Sequence, residues 1–162
     1  MEVVLKIENG AQVWCVIDRE KIEGDQKDTA FNDSISTAVR KGINTAWSND
    51  DFELWILLHF EEVDPENEAY NHRTKYYARL TEILKNLEPK DSIVHNERFD
   101  YYSTMKNKKR FLQYTYQYMK GNIQLAIERA LKLEEYHQIE PKPPHLQCPC
   151  TQVHHLVKEL IS

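Results

Sequence analysis

The fold of this chain is decided by the stretch Val13-Trp14-Cys15-Val16-Ile17-Asp18, a short apolar run that ends on an acidic residue. The run is rich in β-branched and aromatic side chains and shows no polar alternation. Such a pattern is typical of a strand that is buried on both faces, as the strands of a parallel sheet are. We therefore expect residues 13–17 to form a strand of an α/β fold.

A helix and a second strand follow at the spacing that a βαβ unit requires. Apolar residues at helical spacing are Phe31, Ile35, Ala38 and Val39. We expect Asp28 or Thr29 to cap this helix, Gly42 to end it, and residues 43–47 to form the second strand. The connection makes the two strands parallel, so their carboxyl ends should lie at one edge of the sheet.

The remaining chain is predicted to be mainly helical. Residues 52–58 are apolar around most of a helix circumference, which indicates a buried, central helix. Amphipathic patterns predict three further helices, over residues 73–87, 123–136 and 151–161. Much of residues 99–120 is also expected to be helical, with a loop near residues 105–109.

Length and composition fit one folded domain. The chain has 162 residues, of which 41% are hydrophobic and 29% charged, and this composition excludes fibrous and low-complexity proteins. We expect a single α/β domain over residues 1–162, with a small parallel sheet in residues 1–60 and a mainly helical part in residues 61–162. A net charge of −5 argues against coating nucleic acid by bulk electrostatics, so any polyanion must bind locally.

The sequence says less about the cellular location and the oligomeric state of the protein. No apolar stretch is long enough for a spanning helix, and the N-terminus does not resemble a signal peptide, so we expect no membrane association. The three cysteines are too few for a disulfide framework and favour a reducing cytoplasm. The oligomeric state is left open, a homo-oligomer included.

Two acidic residues close the first strand. Asp18 and Glu20 lie two positions apart, so both carboxylates can point the same way and share Mg²⁺ or Mn²⁺. Carboxylate-bound metals of this kind serve phosphoryl-transfer enzymes. The alternative is a solvated acidic loop.

Polar residues follow the second strand at the same predicted edge. Ser48 and Asn49 are candidates to bind a phosphate or a metal-bound water, or to cap the next helix. Glu53 is a candidate third carboxylate, although its spacing from Asp50 also fits a capping box. His59 ends the apolar helix and is expected to be a buried histidine with a hydrogen-bond partner.

Two further patterns bear on ligands. Lys106 and Lys108 belong to a basic run that lies among tyrosines, which suits a phosphate backbone with stacked bases, or else a solvated face. Cys148 and Cys150, with the histidines that follow them, bring zinc to mind, but a single intervening residue is not the usual knuckle spacing. A turn followed by a cap at Thr151 explains that segment without zinc. Neither a phosphate-binding glycine loop nor a nucleophile elbow is present in the sequence.

Four blocks taken together resemble the RloB-like family. They are Val13 to Glu20, Ala46 to Phe60, Ala126 to Ala130, and Pro149 to Leu156. The first two blocks are specific in combination, and the resemblance covers nearly all of the chain in order. It implies a bacterial protein of restriction or anti-phage defence, encoded beside an ABC/AAA-type ATPase and similar in fold to Toprim nucleases.

The resemblance also implies site residues. Asp18 and Glu20 match the paired metal-binding acids of a Toprim strand, and Ser48, Asn49 and Glu53 match the most recognisable family block. The implied activity is Mg²⁺-dependent cleavage of nucleic-acid phosphodiesters. The implied fold class is α/β, with a Toprim-like small parallel sheet and a helical C-terminal half.

One Toprim element has no counterpart in this sequence. A Toprim site also uses a glutamate in a glycine-rich turn after an earlier strand, and neither Glu2 nor Glu8 matches that motif. Either this chain lacks that strand and its glutamate, or the third acid comes from elsewhere; a site with two of the three acids should bind Mg²⁺ weakly and hydrolyse poorly. The alternative function is a non-catalytic partner or regulatory subunit that binds the ATPase.

Overall fold

A βαβ unit opens the fold in the computed structural model, which describes residues 11–20, 25–88 and 92–162. Strand β1 (Trp14–Asp18) pairs in parallel with strand β2 (Asn44–Asn49), and helix α1 (Asp25–Arg40) connects them. The register sets Asp18 opposite Ser48, so the carboxyl ends of both strands share one edge. The predicted βαβ unit is confirmed, while Glu2 and Glu8 lie outside the described residues.

Helix α1 differs from its prediction at its start but not at its end. It begins at Asp25, so the expected cap at Asp28 or Thr29 is wrong, because both residues lie inside the helix. It ends as expected before Gly42, whose φ of +68° suits glycine and lets the amide of Ile43 return to the carbonyl of Ala38.

The side chains of α1 and β1 are less buried than their patterns suggest. Phe31 and Ile35 are buried, but Val39 is 62% exposed. Val16 is 55% exposed because β1 lies at the edge of the sheet in the described part of the chain. The expectation that β1 is buried on both faces is therefore wrong.

Helix α2 (Glu53–Leu58) is the buried centre of the molecule. All six of its residues are buried, which confirms the prediction from its apolar circumference. Phe52 stands at the N-cap, and no side-chain hydrogen bond caps the helix in the described residues. Backbone bonds close its first turn instead, from the Leu54 amide to the Asp51 carbonyl. The predicted capping box of Asp50 and Glu53 is thus wrong, which leaves the Glu53 side chain for other contacts.

The helical part surrounds α2. Its α-helices are α3 (Arg73–Asn86), α4 (Tyr101–Met105), α5 (Lys108–Arg110), α6 (Tyr116–Met119), α7 (Ile123–Ile139) and α8 (Val153–Ile161). Shorter turns are the 3₁₀-helices Glu68–Asn71 and Pro144–Leu146 and the π-helical turn Phe111–Thr115. The predicted helices α3, α7 and α8 are confirmed, and so is the break within residues 99–120, which falls between α4 and α5. No described helix is long and apolar enough to cross a membrane.

A third strand completes the sheet. Strand β3 (Cys150–Thr151) pairs antiparallel with β2, so the structure is a mixed α/β fold with a small three-stranded sheet and mostly helical content. This segment was expected to be a turn followed by a helix cap at Thr151, because a two-residue strand leaves no periodicity to detect. Thr151 still supports the start of α8, since its Oγ1 accepts the Val153 amide at 3.3 Å.

Both faces of β2 are covered. Trp47 packs against Phe31 of α1, with their ring centroids 5.9 Å apart and nearly perpendicular. Ala46 belongs to the larger core cluster that contains α2 and parts of α3 and α7. The sheet therefore lies between α1 and the helical part, and its carboxyl edge is held from both sides.

Candidate active site

Asp18 ends β1 with one carboxylate oxygen buried and unpartnered. In the described part of the chain its Oδ1 has no hydrogen-bond partner. Burial, together with the negative charge of Asp51, raises the pKa of Asp18 from 3.8 to about 6, although the Phe52 amide donates to this carboxyl. A buried anionic oxygen without a donor is a place where a cation or a proton is stabilised.

Asp51 lies in the turn from β2 into α2, close enough to Asp18 to raise its pKa, and Glu53 begins α2. Both side chains are almost fully buried, at 5% and 6% exposure. Burial and the hydrogen bond to Asp51 raise the pKa of Glu53. Burial alone would raise the pKa of Asp51, but hydrogen bonds from Glu53 and Tyr77 outweigh burial and lower it. The pair therefore shares one proton, which Glu53 holds and donates toward Asp51.

Lys106 brings a positive charge to these acids. It follows α4, and its Nζ lies 3.1 Å from Asp51 Oδ2 and 3.3 Å from Glu53 Oε1. The Tyr77 hydroxyl lies 3.1 Å from the same Nζ and also donates to Asp51. The acids raise the pKa of Lys106 although burial lowers it, so the ammonium stays charged.

A cleft of about 640 Å³ reaches this cluster at Asp51 and Lys106, whereas Asp18 and Glu53 are not among its lining residues. Its lining includes Glu20, Asp51, Arg73, Tyr77 and Lys106. The Nη1 of Arg73 lies 3.9 Å from Asp51 Oδ2, so two cations and several acids border one space. Positive charge beside carboxylates allows the cleft to receive an anion together with a metal ion.

Glu20 lies at the rim of the cleft rather than among the buried acids. Its side chain is exposed, and its backbone has a φ of +46°, a region that few residues other than glycine adopt. The Glu20 amide donates to the carbonyl of Asp50 at 3.0 Å. Its charge contributes least to the raised pKa of Asp18 among the causes of that shift.

The structure places Ser48 and Asn49 at the predicted edge but not in the lining of the cleft. Both are fully buried. Ser48 Oγ lies 2.9 Å from Thr151 Oγ1, and Asn49 accepts from Arg19 and donates to the carbonyl of Pro144. Their side chains hold the sheet edge to its neighbours.

The two lysines of the basic run differ in their contacts. Lys106 pairs with Asp51 and Glu53, whereas Lys108 is exposed. Lys106, Lys108 and Glu53 all border a second cavity of about 350 Å³. His59 is buried, and its Nδ1 lies 2.9 Å from the Trp55 carbonyl, which confirms the expected buried histidine.

Three cleft residues were missed from the sequence. Asp51, Tyr77 and Arg73 carry no motif, and only the acidic pair that follows Asn49 was a signal for Asp51. Tyr77 and Arg73 face the cleft from α3, which is distant in sequence from the sheet. Their position depends on how α3 packs against α2, which residue spacing does not reveal.

We expect Glu53→Gln to flatten part of the pH dependence of stability. Because the folded pKa of Glu53 is raised above its ordinary 4.5, folding retains its proton, and the free energy of unfolding falls as the pH rises past that value. Glutamine mimics the protonated form, so above neutral pH the variant should be more stable than the wild type by about 1 kcal/mol. Urea unfolding across pH measures this, and parallel curves for both proteins would contradict it.

Taken together, the fold and the cleft define a small α/β protein with an acidic site at the carboxyl edge of a parallel strand pair. A model of the family described as RloB-like protein matches residues 4–160, so this chain belongs to the RloB-like family. No curated protein and no solved structure matches the chain significantly.

Proposed function

We propose that this chain is a Mg²⁺-dependent phosphodiesterase of nucleic acid with a Toprim-like fold. The observation that carries the proposal is the buried, unpartnered Oδ1 of Asp18 near Asp51, at the carboxyl edge where open α/β sheets bind ligands. Membership of the RloB-like family supports the same assignment.

The residues of the cleft suit a hard divalent cation. All the candidate ligands are carboxylate oxygens, which Mg²⁺ and Mn²⁺ prefer, and burial leaves Asp18 short of positive charge. Asp18 and Asp51 would hold the metal, with Glu20 joining them from the rim. When bound, Mg²⁺ polarises a phosphate and makes its bound water more acidic.

The other side chains supply binding and proton transfer. Lys106 and Arg73 would orient the phosphate by charge, and Lys108 would extend the contact along a nucleic-acid strand. Glu53 carries a proton that it can donate to a leaving oxygen. Ser48 and Asn49 would contribute by fixing the edge of the sheet that bears Asp18.

The biological setting is proposed from the family alone. We place the chain in a bacterial anti-phage or restriction-associated system, acting with an ABC/AAA-type ATPase. A reducing cytoplasm is the proposed location, since no disulfide forms among the three cysteines, all of which are in the described part of the chain.

One observation favours a second function. Lys106 already pairs with Asp51 and Glu53, so these two acids are compensated by the chain itself. A site neutralised in this way suits a non-catalytic partner or regulatory subunit of the ATPase.

Cleavage assays separate the two functions. The purified full chain is incubated with end-labelled single-stranded RNA and DNA, in Mg²⁺, in Mn²⁺ and in EDTA. We expect metal-dependent cleavage that EDTA abolishes, and the same cleavage in Asp33→Asn, which removes an exposed acid of α1 that lines a different cavity. Absence of cleavage in every metal would favour the non-catalytic subunit.

A further inference from the structure

A second cluster of possible metal ligands involves none of the acids of the cleft. Glu134 of α7 meets His154 and His155 at the start of α8, and one ligand atom from each residue lies within 4.8 Å of the others. No other three Asp, Glu, His or Cys side chains in the described ranges bring their ligand atoms this close together, and the acids of the cleft are more widely spaced.

The contacts of His154 require a positive charge between its ring and the Glu134 carboxylate. Its Nδ1 lies 3.1 Å from the Thr151 carbonyl, which only accepts, so Nδ1 carries the proton. In a neutral ring, Nε2 then turns its lone pair toward Glu134 Oε2, 3.1 Å away. His154 is fully buried, and two lone pairs at this distance repel unless a proton or a metal ion bridges them.

His155 directs a second imidazole at the same carboxylate. Its Nε2 lies 3.0 Å from Glu134 Oε2 and 3.2 Å from Oε1. The His155 side chain is 41% exposed and lines a cavity of about 410 Å³ with Trp14 and Ile43. An ion can therefore reach the cluster from solvent.

We propose that Glu134, His154 and His155 form a zinc site that ties α7 to the start of α8. Two imidazole nitrogens and one carboxylate are ligands that Zn²⁺ accepts, whereas Mg²⁺ prefers oxygen alone. The Thr151 carbonyl that orients His154 is the kind of outer-shell partner that metal-bound histidines have.

The cysteines considered for zinc from the sequence take no part in this site. Cys150 is buried in the small cluster with Phe31 and Trp47. Cys148 Sγ lies 3.9 Å from the Tyr76 hydroxyl. The zinc site therefore uses a different ligand set from the cysteine pair of the sequence.

Zinc binding to the metal-stripped full chain tests the proposal. We expect one Zn²⁺ per chain by calorimetry, a raised melting temperature, and binding that excess Mg²⁺ does not displace. Co²⁺ in place of Zn²⁺ should give visible absorption bands of a low-coordinate site. His155→Ala should weaken Zn²⁺ binding about 100-fold, since it removes a ligand rather than an outer-shell partner.

His72→Asn is the matched control, because His72 is an exposed histidine at the start of α3 whose capping bond asparagine can replace. It should bind Zn²⁺ like the wild type. Since His155 is partly exposed, circular dichroism should show that His155→Ala still folds. Equal binding in both variants, no binding by the wild type, or displacement by Mg²⁺ would overturn the proposal; none of these results depends on cleavage in the acidic cleft.

Discussion

Asp18→Asn should make the chain more stable at alkaline pH while abolishing its response to Mg²⁺. The raised pKa of Asp18, about 6 against an ordinary 3.8, means that folding favours the protonated form. The free energy of unfolding therefore falls as the pH rises from about 4 to 6, and the full cost is present above that range. Asparagine keeps the shape without the charge, so at about pH 8 we expect a gain of about 2 kcal/mol.

The same substitution removes the proposed metal ligand. Cleavage should fall at least about 100-fold, because two or more carboxylates must share the metal. The wild type should gain stability in millimolar Mg²⁺, by about 1 kcal/mol when the ion is near tenfold above its dissociation constant, and the variant should not. Denaturant melts with and without Mg²⁺, with Asp33→Asn as the control, measure both effects.

The two results of this experiment are separable. A gain in stability without any Mg²⁺ effect in the wild type would support the burial of Asp18 and count against the metal site. A loss of stability in Asp18→Asn would contradict the buried, unpartnered carboxylate itself.

The sequence was most informative where chain order fixes geometry. Residues 13–18, Gly42 and the second strand predicted a βαβ unit, and its parallel register brings Asp18 opposite Ser48. This follows from local pattern and chirality alone. The buried helix α2 was equally clear, because its apolar residues surround the whole circumference.

Burial and sheet order were harder to predict. Val16 is apolar and β-branched, as residues of buried strands often are. It lies on the edge strand of the described sheet, however, and is exposed. Strand β3 consists of two residues and comes from the far end of the chain. Neither feature has a periodic signal, since each depends on which elements meet in three dimensions.

The candidate site was likewise predicted only in part. The sequence predicted Asp18 and Glu53 as candidate site residues. It also predicted that Glu53 takes part in a capping box, but no side-chain hydrogen bond caps the start of α2. Lys106 was grouped with a basic run, although its ammonium lies on the acids and not with its neighbours. A contact between residues 51 and 106 depends on tertiary packing. The pattern of charges along the chain therefore does not predict it.

Removing the charge of Lys106 should lower the stability of the protein. Lys106→Met keeps the aliphatic stem and removes the charge that faces Asp51 and Glu53. Removing one partner of a buried ion pair costs several kcal/mol, and the 36% exposure of the lysine side chain reduces this. In EDTA at about pH 8 we expect a loss of about 2 kcal/mol, which corresponds to a melting temperature lower by about 4–8 °C.

Lys108→Met is the matched control, because Lys108 belongs to the same basic run and is exposed, while the ion pairs with Asp51 and Glu53 are made by Lys106. Its stability should stay within about 0.5 kcal/mol of the wild type. Equal melting temperatures for Lys106→Met and Lys108→Met would contradict the proposed compensation of the acids.

Millimolar Mg²⁺ then decides between the two functions of the acidic cleft. If Asp18 and Asp51, with Glu20 at the rim, can take up a divalent cation, the ion replaces the lost ammonium charge and should restore much of the stability of Lys106→Met. Adding Asp18→Asn to that variant should remove the restoration, since the metal loses a ligand. A Lys106→Met protein that Mg²⁺ does not restore would mean that the cleft is built around its own lysine, as a non-catalytic subunit requires.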